Sequence, residues 1–226
     1  EARGDQYRLQ VQVDSVVVNN INTIFLTSGM GRVDSWSAAW LGTSDILGSE
    51  QVPTGFGDNF KSPDSLMQTV SSFSCAPNVI TVANYRNRSQ YTDVNGSVVD
   101  FEVEPGSRTP GSSRGPTRDG RLKPDISASG DLVLSTGAYN VIDDLLAAAP
   151  FKVALGGKHI RNGGTSMASP IVAGVATLYL QHCPNSFPSE IKQDIIGASF
   201  QDIFTGSLPN YRWGNGKLNG LAAVNA

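Results

Sequence analysis

The chain of 226 residues is long enough for one large domain or two small ones. Hydrophobic residues make up 39% of it and charged residues 16%, which is typical of a packed globular protein. The net charge is −3, and the 17 basic and 20 acidic residues are intermixed along the sequence. No basic run indicates a nucleic-acid surface, and no apolar stretch approaches the roughly 20 residues that span a bilayer.

The first third of the chain holds two apolar segments and a long irregular one. Residues 9–17 fit both helical and strand periodicity, so their structure stays open. Residues 21–26 form a β-rich run and are predicted to be a buried strand that enters a turn at residues 27–29. Residues 32–75 are too many for a plain connection, and we interpret them as an insertion in the domain.

The rest of the chain alternates apolar strands with helices. Strands are predicted at 78–83, 132–134 and 152–155, and a polar, turn-rich segment covers 84–121. Helices are predicted over 165–182 and 189–198. This alternation favours an α/β protein whose mostly parallel sheet is covered on both faces.

Cysteines and acidic residues suggest no ligand set. Cys75 and Cys183 permit one disulfide at most, and two unpaired buried thiols are the simpler interpretation. Asp45, Glu50 and Asp58 of the insertion could bind calcium, but scattered acids in a loop are usually solvated. We therefore predict no metal site and no cofactor, and structural calcium stays open.

A glycine-rich turn leads into the strongest predicted helix. Ser166 falls at the start of this helix, where free backbone N–H groups and the positive end of the helix dipole point outward. A serine there can attack a carbonyl while its own N–H holds the developing oxyanion. The alternative is that Thr165 or Ser166 is simply the N-cap. Pro170 is expected in the first turn, where its missing donor has no partner.

The same helix is apolar on nearly all sides. Its apolar positions include Ile171, Val172, Val175, Ala176, Leu178 and Leu180. A helix that is hydrophobic all round is normally buried on all sides. The sequence therefore predicts a central, buried helix.

The string Gly163–Gly174, which reads GGTSMASPIVAG, resembles the serine motif of the subtilases, peptidase family S8. Three further blocks agree in order and spacing, at 78–82, 112–126 and 213–223. The resemblance covers roughly residues 7–226 apart from the insertion, and it includes a long loop before the serine. It implies a subtilisin-like three-layer α/β/α fold, a secreted serine endopeptidase that acts on peptides or proteins, and Ser166 as its nucleophile.

The rest of the subtilase catalytic triad is missing from the chain. The family order is Asp, His, Ser, which places the acid and the base upstream of the strand that ends at Gly29. We therefore expect residues 1–226 to be the C-terminal portion of the catalytic domain, inactive alone and partnered by the N-terminal portion. His182 lies 16 residues after Ser166, roughly 24 Å along a continuous helix and too far for a base. His159 could approach Ser166, but the family places its base elsewhere.

The oxyanion hole shows a second departure from the family. The resemblance implies that Gly29, Met30 and Thr165 belong to the oxyanion and specificity-pocket region. Met30 stands where subtilases usually have Asn, and a thioether donates no hydrogen bond. An inactive subtilase-like binding domain is therefore the alternative to a peptidase. Asp119 and Asp125 match structural positions of the family and are not expected to be the triad acid.

Overall fold

The computed structural model describes residues 2–3, 6–7 and 66–226. The chain divides into two units, Glu1–Ser62 and Pro63–Ala226. In the first unit, strand β1 (Ala2–Arg3) pairs antiparallel with strand β2 (Gln6–Tyr7). The predicted segments at 9–17 and 21–26, with Gly29, Met30 and most of the insertion, lie outside the described residues.

The second unit contains short strands and four helices among its described residues. Its strands are β3 (Val82–Arg86), β4 (Gln90–Thr92), β5 (Val98–Asp100), β6 (Ile126–Asp131), β7 (Val133–Thr136) and β8 (His159–Asn162). Its α-helices are α1 (Tyr139–Ala148), α2 (Thr165–His182), α3 (Pro188–Gly197) and α4 (Gly220–Val224). Single 3₁₀ turns occur at Ser72–Cys75 and Pro150–Lys152.

The core forms where one parallel strand pair meets α2. Strands β3 and β6 run parallel, and successive side chains of β6 point to opposite faces. Ile126 and Ala128 point toward α2 and are fully buried with Ala168 and Val172 of that helix. Ser127 points to the other face, where its hydroxyl donates to the backbone oxygen of Trp213 at 2.8 Å. Helices α3 and α4 pack on α2, so this part of the chain has the α/β packing that the sequence predicts.

Two antiparallel pairs are added to this arrangement. Strands β4 and β5 form a pair inside the segment 84–121, which the sequence analysis treats only as turn-rich. Strands β7 and β8 form the other pair, and α1 lies between them in the chain. The long loop before the serine is therefore partly helical. Of the predicted, mostly parallel sheet, the described ranges contain one parallel strand pair, β3–β6.

The strand predicted at 78–83 begins too early. The observed strand β3 starts at Val82, and Val79 is 41% exposed. Two lysine side chains form hydrogen bonds with backbone carbonyls that precede β3. Lys192 donates to Pro77 O at 2.6 Å, and Lys123 donates to Val79 O at 2.8 Å. The start of the apolar run therefore has lysine side chains as hydrogen-bond partners, and its strand pairing begins only at Val82.

Two other predicted strands also differ from the structure. The prediction of a strand at 152–155 is wrong. The chain makes a 3₁₀ turn through Lys152 and then forms only isolated β-bridges at Val153 and Ala154. The strand at 132–134 is shifted and becomes β7. Leu132 has a φ of 53°, which turns the chain between β6 and β7 and removes Leu132 from both strands.

The helix predictions are accurate in position and wrong in burial. Helix α2 has the predicted bounds, and α3 begins and ends one residue earlier than expected. However, Ile171, Leu178 and Leu180 of α2 are 40%, 53% and 39% exposed. Only one face of the helix meets the core, so the expected central, fully buried helix is not observed in this unit. The remaining apolar surface has no cover from residues 66–226.

The described residues give no sign of a disulfide, a metal cluster or a membrane span. Cys75 and Cys183 are free and half-buried, and burial raises the pKa of the Cys75 thiol. Within the described ranges, no group of three His, Cys, Asp or Glu side chains is placed to hold a metal ion. The helices found there are all too short or too polar to cross a bilayer.

A buried cation fixes the loops beside the sheet. Lys217 is 2% exposed, and its ammonium group donates to Gly106 O at 2.7 Å and pairs with Asp202. The rings of Tyr85, Phe204 and Trp213 surround the ammonium at 4.5, 5.0 and 5.1 Å from their centroids. Burial alone would raise the pKa of Asp202, but the hydrogen bond from Lys217 lowers it below its usual range.

We expect Lys217→Met to destabilise the protein by about 3 kcal/mol, because it leaves the Asp202 carboxylate and the Gly106 carbonyl without their cation. Methionine has a similar length and keeps the apolar contacts with the rings. Urea unfolding would measure the change. Lys158→Met, at an exposed lysine, is the matched control and should cost less than about 0.5 kcal/mol. Equal stability of the two variants would contradict the role of Lys217.

Candidate active site

Ser166 is the second residue of α2, which a two-residue connection, 163–164, joins to β8. We call residues 162–166, this connection with the adjoining ends of β8 and α2, the serine loop. Gly164 precedes the helix with a φ of 116°, a conformation that favours glycine. Its N–H donates to the carbonyl of Gly130 at the end of β6, at 2.7 Å. The amide of Gly163 donates to the side-chain oxygen of Asn162 at 2.9 Å. The loop is thus fixed to the carboxyl end of a core strand.

Close packing at Gly130 sets the distance between sheet and helix. A Cβ atom at this position would lie 2.7 Å from the Cβ of Ala168 and 2.8 Å from both the Cβ of Asn84 and the carbonyl oxygen of Gly164. Real Cβ atoms essentially never approach other atoms so closely. Only glycine lets the first turn of α2 approach the strand to this distance.

The Ser166 hydroxyl is on the exposed side of this contact. Gly164 is the N-cap, so Thr165 and Ser166 are the first two residues of the helix and neither acts as the cap. Both side chains are exposed. The N–H of Ser166 has no acceptor within the helix, because the first four N–H groups of any α-helix lack one. Ser166 therefore presents a hydroxyl and an N–H donor without a helical acceptor at the positive end of an 18-residue helix.

Pro170 occupies a different place in the helix from the one predicted. It is the sixth residue of α2, in the second turn. At this position a residue with an N–H would donate to the carbonyl of Ser166, four residues earlier. The first-turn explanation is therefore wrong, and the proline removes the normal helical partner of the Ser166 carbonyl.

Comparison with known proteins gives the family. The profile of the subtilase family, peptidase S8, matches residues 57–216. The chain belongs to the subtilase family. This membership confirms the subtilisin-like α/β fold that the sequence motifs predicted.

Among related proteins, serine protease AprX of Bacillus subtilis (strain 168) is 36% identical over 164 residues, which are 73% of this chain and 32% of AprX. An uncharacterized protein of Aquifex aeolicus (strain VF5), aq_aa18, is 30% identical over 182 residues, which are 78% of this chain and 76% of that protein. The CspB protease of Clostridium perfringens has a solved structure with a TM-score of 0.48 at 23% identity, over 70% of this chain and 29% of its own. The chain thus spans about a third of the length of AprX.

The two histidines of this subtilase are not brought to Ser166 by the described contacts. Helix α2 is continuous to His182, its last residue, which places that imidazole roughly 24 Å along the axis from Ser166. His159 opens β8 and pairs with Thr136, whereas Asn162 at the other end of β8 enters the serine loop. The strand rise puts the Cα atoms of His159 and Asn162 roughly 10 Å apart.

The carboxylates of the matched subtilase segments lie in ion pairs away from the serine loop. Asp125 immediately precedes β6, at the opposite end of that strand from Gly130. Its two carboxylate oxygens contact the ammonium groups of Lys123 and Lys192 at 2.6 and 2.9 Å. Asp119 pairs with Arg121 at the surface at 2.8 Å. These contacts give both acids structural partners.

One buried polar residue beneath the serine loop was not singled out from the sequence. Asn84 of β3 is 2% exposed, and its backbone N–H donates to the hydroxyl oxygen of Ser112 at 3.0 Å. Its Oδ1 atom has no hydrogen-bond partner among the residues that the structure describes. The only sequence signal was a polar residue directly after the apolar run at 78–83.

We expect Gly130→Ala to destabilise the protein by about 1–3 kcal/mol, because the new methyl group overpacks the contact between β6 and α2. Denaturant unfolding would measure the loss. Gly197→Ala is a suitable control, since a Cβ there would meet no atom within 4 Å. The packing argument fails if Gly130→Ala is as stable as Gly197→Ala.

Proposed function

We propose that Ser166 is the nucleophile of a serine endopeptidase that hydrolyses peptide bonds through an acyl-enzyme. The observation that carries the proposal is the exposed Ser166 hydroxyl at the N-terminus of α2, held there by the contact of Gly164 with Gly130. Membership of the subtilase family, together with the likeness to serine protease AprX, supports the same chemistry.

The chemistry proceeds in two steps at this helix end. A general base takes the Ser166 hydroxyl proton while the oxygen attacks the carbonyl carbon of the scissile bond. The Ser166 N–H and the helix dipole stabilise the oxyanion that forms. The intermediate then expels the amine, which takes the proton from the base. Water attacks the acyl-enzyme in the same way and releases the acid.

The base comes from polypeptide other than this chain. His182 is too far along α2, and the β8 pairing directs His159 away from the serine loop. We therefore assign the triad Asp and His to the N-terminal portion of the same protease domain, so that this chain alone is inactive. Thr165, the exposed first residue of α2, belongs to the oxyanion and specificity-pocket region in this proposal. Gly29 and Met30, which the sequence resemblance assigns to the same region, lie outside the described residues. The enzyme acts outside the cell on peptides or proteins and needs no cofactor.

Met30 favours a second candidate, an inactive subtilase-like domain that binds peptides. The missing side-chain donor at this position costs about 10²–10³ in turnover, a magnitude taken from subtilisin itself. A loss of that size leaves a slow enzyme when the base is present. The peptidase is therefore our first proposal, and the labelling experiment below separates the two.

A fluorophosphonate probe should label the complete protease domain, and Ser166→Ala should abolish the labelling, because the probe needs an activated serine oxygen. Mass spectrometry of the labelled peptide would locate the adduct. Ser189→Ala, at an exposed serine of α3, is the matched control and should label at the parent rate. A folded, complete domain that stays unlabelled would support the binding domain instead.

The exposed apolar face of α2 is where we place the N-terminal portion. Ile171 and Leu178, seven residues apart, lie on this face. On a different side of the helix, a cavity of about 210 Å³ between β3 and α2 is lined by Val82, Val172 and Ala176. The backbone of the carboxyl half of β3 already forms hydrogen bonds with residues 106–109. Large exposed apolar patches mark interaction surfaces, so this helix face is a suitable seat for the missing layer.

Sedimentation should show this chain in complex with the N-terminal portion and not as a stable monomer on its own. Leu178→Glu should weaken the complex at least tenfold, because it places a charge in the apolar contact. Gln181→Glu adds the same charge at an exposed polar position of α2 and should leave the complex intact. A soluble monomer of the chain alone would contradict the assignment.

A further inference from the structure

The side-chain amide of Asn84 is buried beneath the serine loop and is not used by the fold. Its Oδ1 atom has no hydrogen-bond partner among the residues that the structure describes. The backbone of Asn84 is satisfied, since its N–H donates to the Ser112 hydroxyl and its carbonyl accepts from the N–H of Thr109. Buried polar groups almost always have a partner, and an unpaired one is costly. The unpaired amide therefore indicates a partner from outside the described residues.

The amide is on the side of β3 that faces α2. Val82, two residues before Asn84, lines the cavity between β3 and α2, and side chains two apart on a strand share a face. The position that a Cβ of Gly130 would take is 2.8 Å from the Cβ of Asn84, 2.7 Å from the Cβ of Ala168 and 2.8 Å from the carbonyl oxygen of Gly164. The Cβ of Asn84 is therefore at most about 5.6 Å from each of those two atoms.

Ser166 is on the side of α2 that stands over β3. Ser169 and Ala173 line the cavity on this side of the helix. Ser166 precedes Ser169 by three residues and Ala173 by seven, and these spacings put side chains on one face of a helix. An asparagine amide extends about 2.4 Å beyond its Cβ, so the end of the Asn84 side chain is at the level of the first turn of α2. The orphaned amide and the nucleophile are therefore on facing sides of one crevice.

The proposed active site lacks a second oxyanion donor, and an asparagine amide can supply one. The sequence places Met30, which has no N–H, where subtilases usually have Asn. The Asn84 amide carries two N–H donors, and its terminal torsion is roughly two-fold, so it can present either its nitrogen or its oxygen to the crevice. A fixed donor shielded from water stabilises a developing oxyanion strongly. The burial of Asn84 thus suits this role.

We propose that the side-chain amide of Asn84 donates the second hydrogen bond to the oxyanion that forms at Ser166. The inference rests on the proposed peptidase function and adds a catalytic residue to that site. When the Ser166 oxygen adds to the scissile carbonyl, the carbonyl oxygen becomes negative and accepts from the Ser166 N–H and from the Asn84 amide. The amide is unpaired before the reaction and paired in the transition state. Its hydrogen bond therefore lowers the barrier and does not tighten substrate binding.

Asn84→Leu in the complete protease domain tests the donor, because leucine has a similar size and no N–H. We expect kcat to fall about 10²-fold with little change in KM. The midpoint of urea unfolding should stay the same or rise, since an apolar group replaces an unpaired buried amide. Asn87→Leu, at an exposed asparagine just after β3, is the matched control and should keep the parent kcat. Lost stability with retained kcat would show that Asn84 is structural and would overturn the proposal.

A peptide aldehyde gives a second readout, because its adduct with the Ser166 oxygen carries the same oxyanion. Its affinity for Asn84→Leu, and for Asn84→Ala where leucine does not fold, should fall in proportion to kcat/KM. Parent kcat and parent aldehyde affinity in the folded variants overturn the role of Asn84 and leave the peptidase standing. A parent domain that neither hydrolyses peptides nor reacts with the fluorophosphonate overturns the peptidase, and this inference with it.

Discussion

The hydrogen bond from the Gly164 amide to the Gly130 carbonyl joins the end of β6 to the start of α2, and the place of Ser166 depends on it. Backbone atoms and two Cβ atoms, those of Ala168 and Asn84, surround Gly130 at this contact. It contains no flexible side chain that could relax to admit a larger residue. Ser166 is therefore positioned by the closest approach of sheet and helix, and its hydroxyl stays available for chemistry.

The helix that presents Ser166 is also where our proposal places the partner polypeptide. One face, with Ala168 and Val172, is buried against β6, while Leu178 on another face is more than half exposed. A helix that is apolar all round is stable when it is covered all round. In our proposal, one polypeptide supplies both the missing cover and the missing base. Assembly and activation are then the same event, since the surface that docks is on the helix that carries the nucleophile.

The sequence predicted best where local pattern and tertiary packing agree. Helix α2 was placed to the residue, because its glycine turn and its apolar run define both ends. Helix α1 was missed, since its N-cap, Ala138, offers no side-chain hydrogen bond and no acid follows in the first turn. The predicted strand at 78–83 begins too early because Lys192, over a hundred residues later in the chain, donates to the carbonyl of Val79 in that run. Such distant partners leave no local signal.

The partners of the cations in this chain follow their burial. Lys123 and Lys217 are almost fully buried, and each has a carboxylate beside it, as the cost of desolvating a charge requires. Arg86 and Arg108 are only half-buried, and they donate instead to neutral acceptors, the Ser107 hydroxyl and the Ser112 carbonyl. Each of these cations is therefore fixed by the fold, and the carboxylates of Asp125 and Asp202 are held in structural ion pairs.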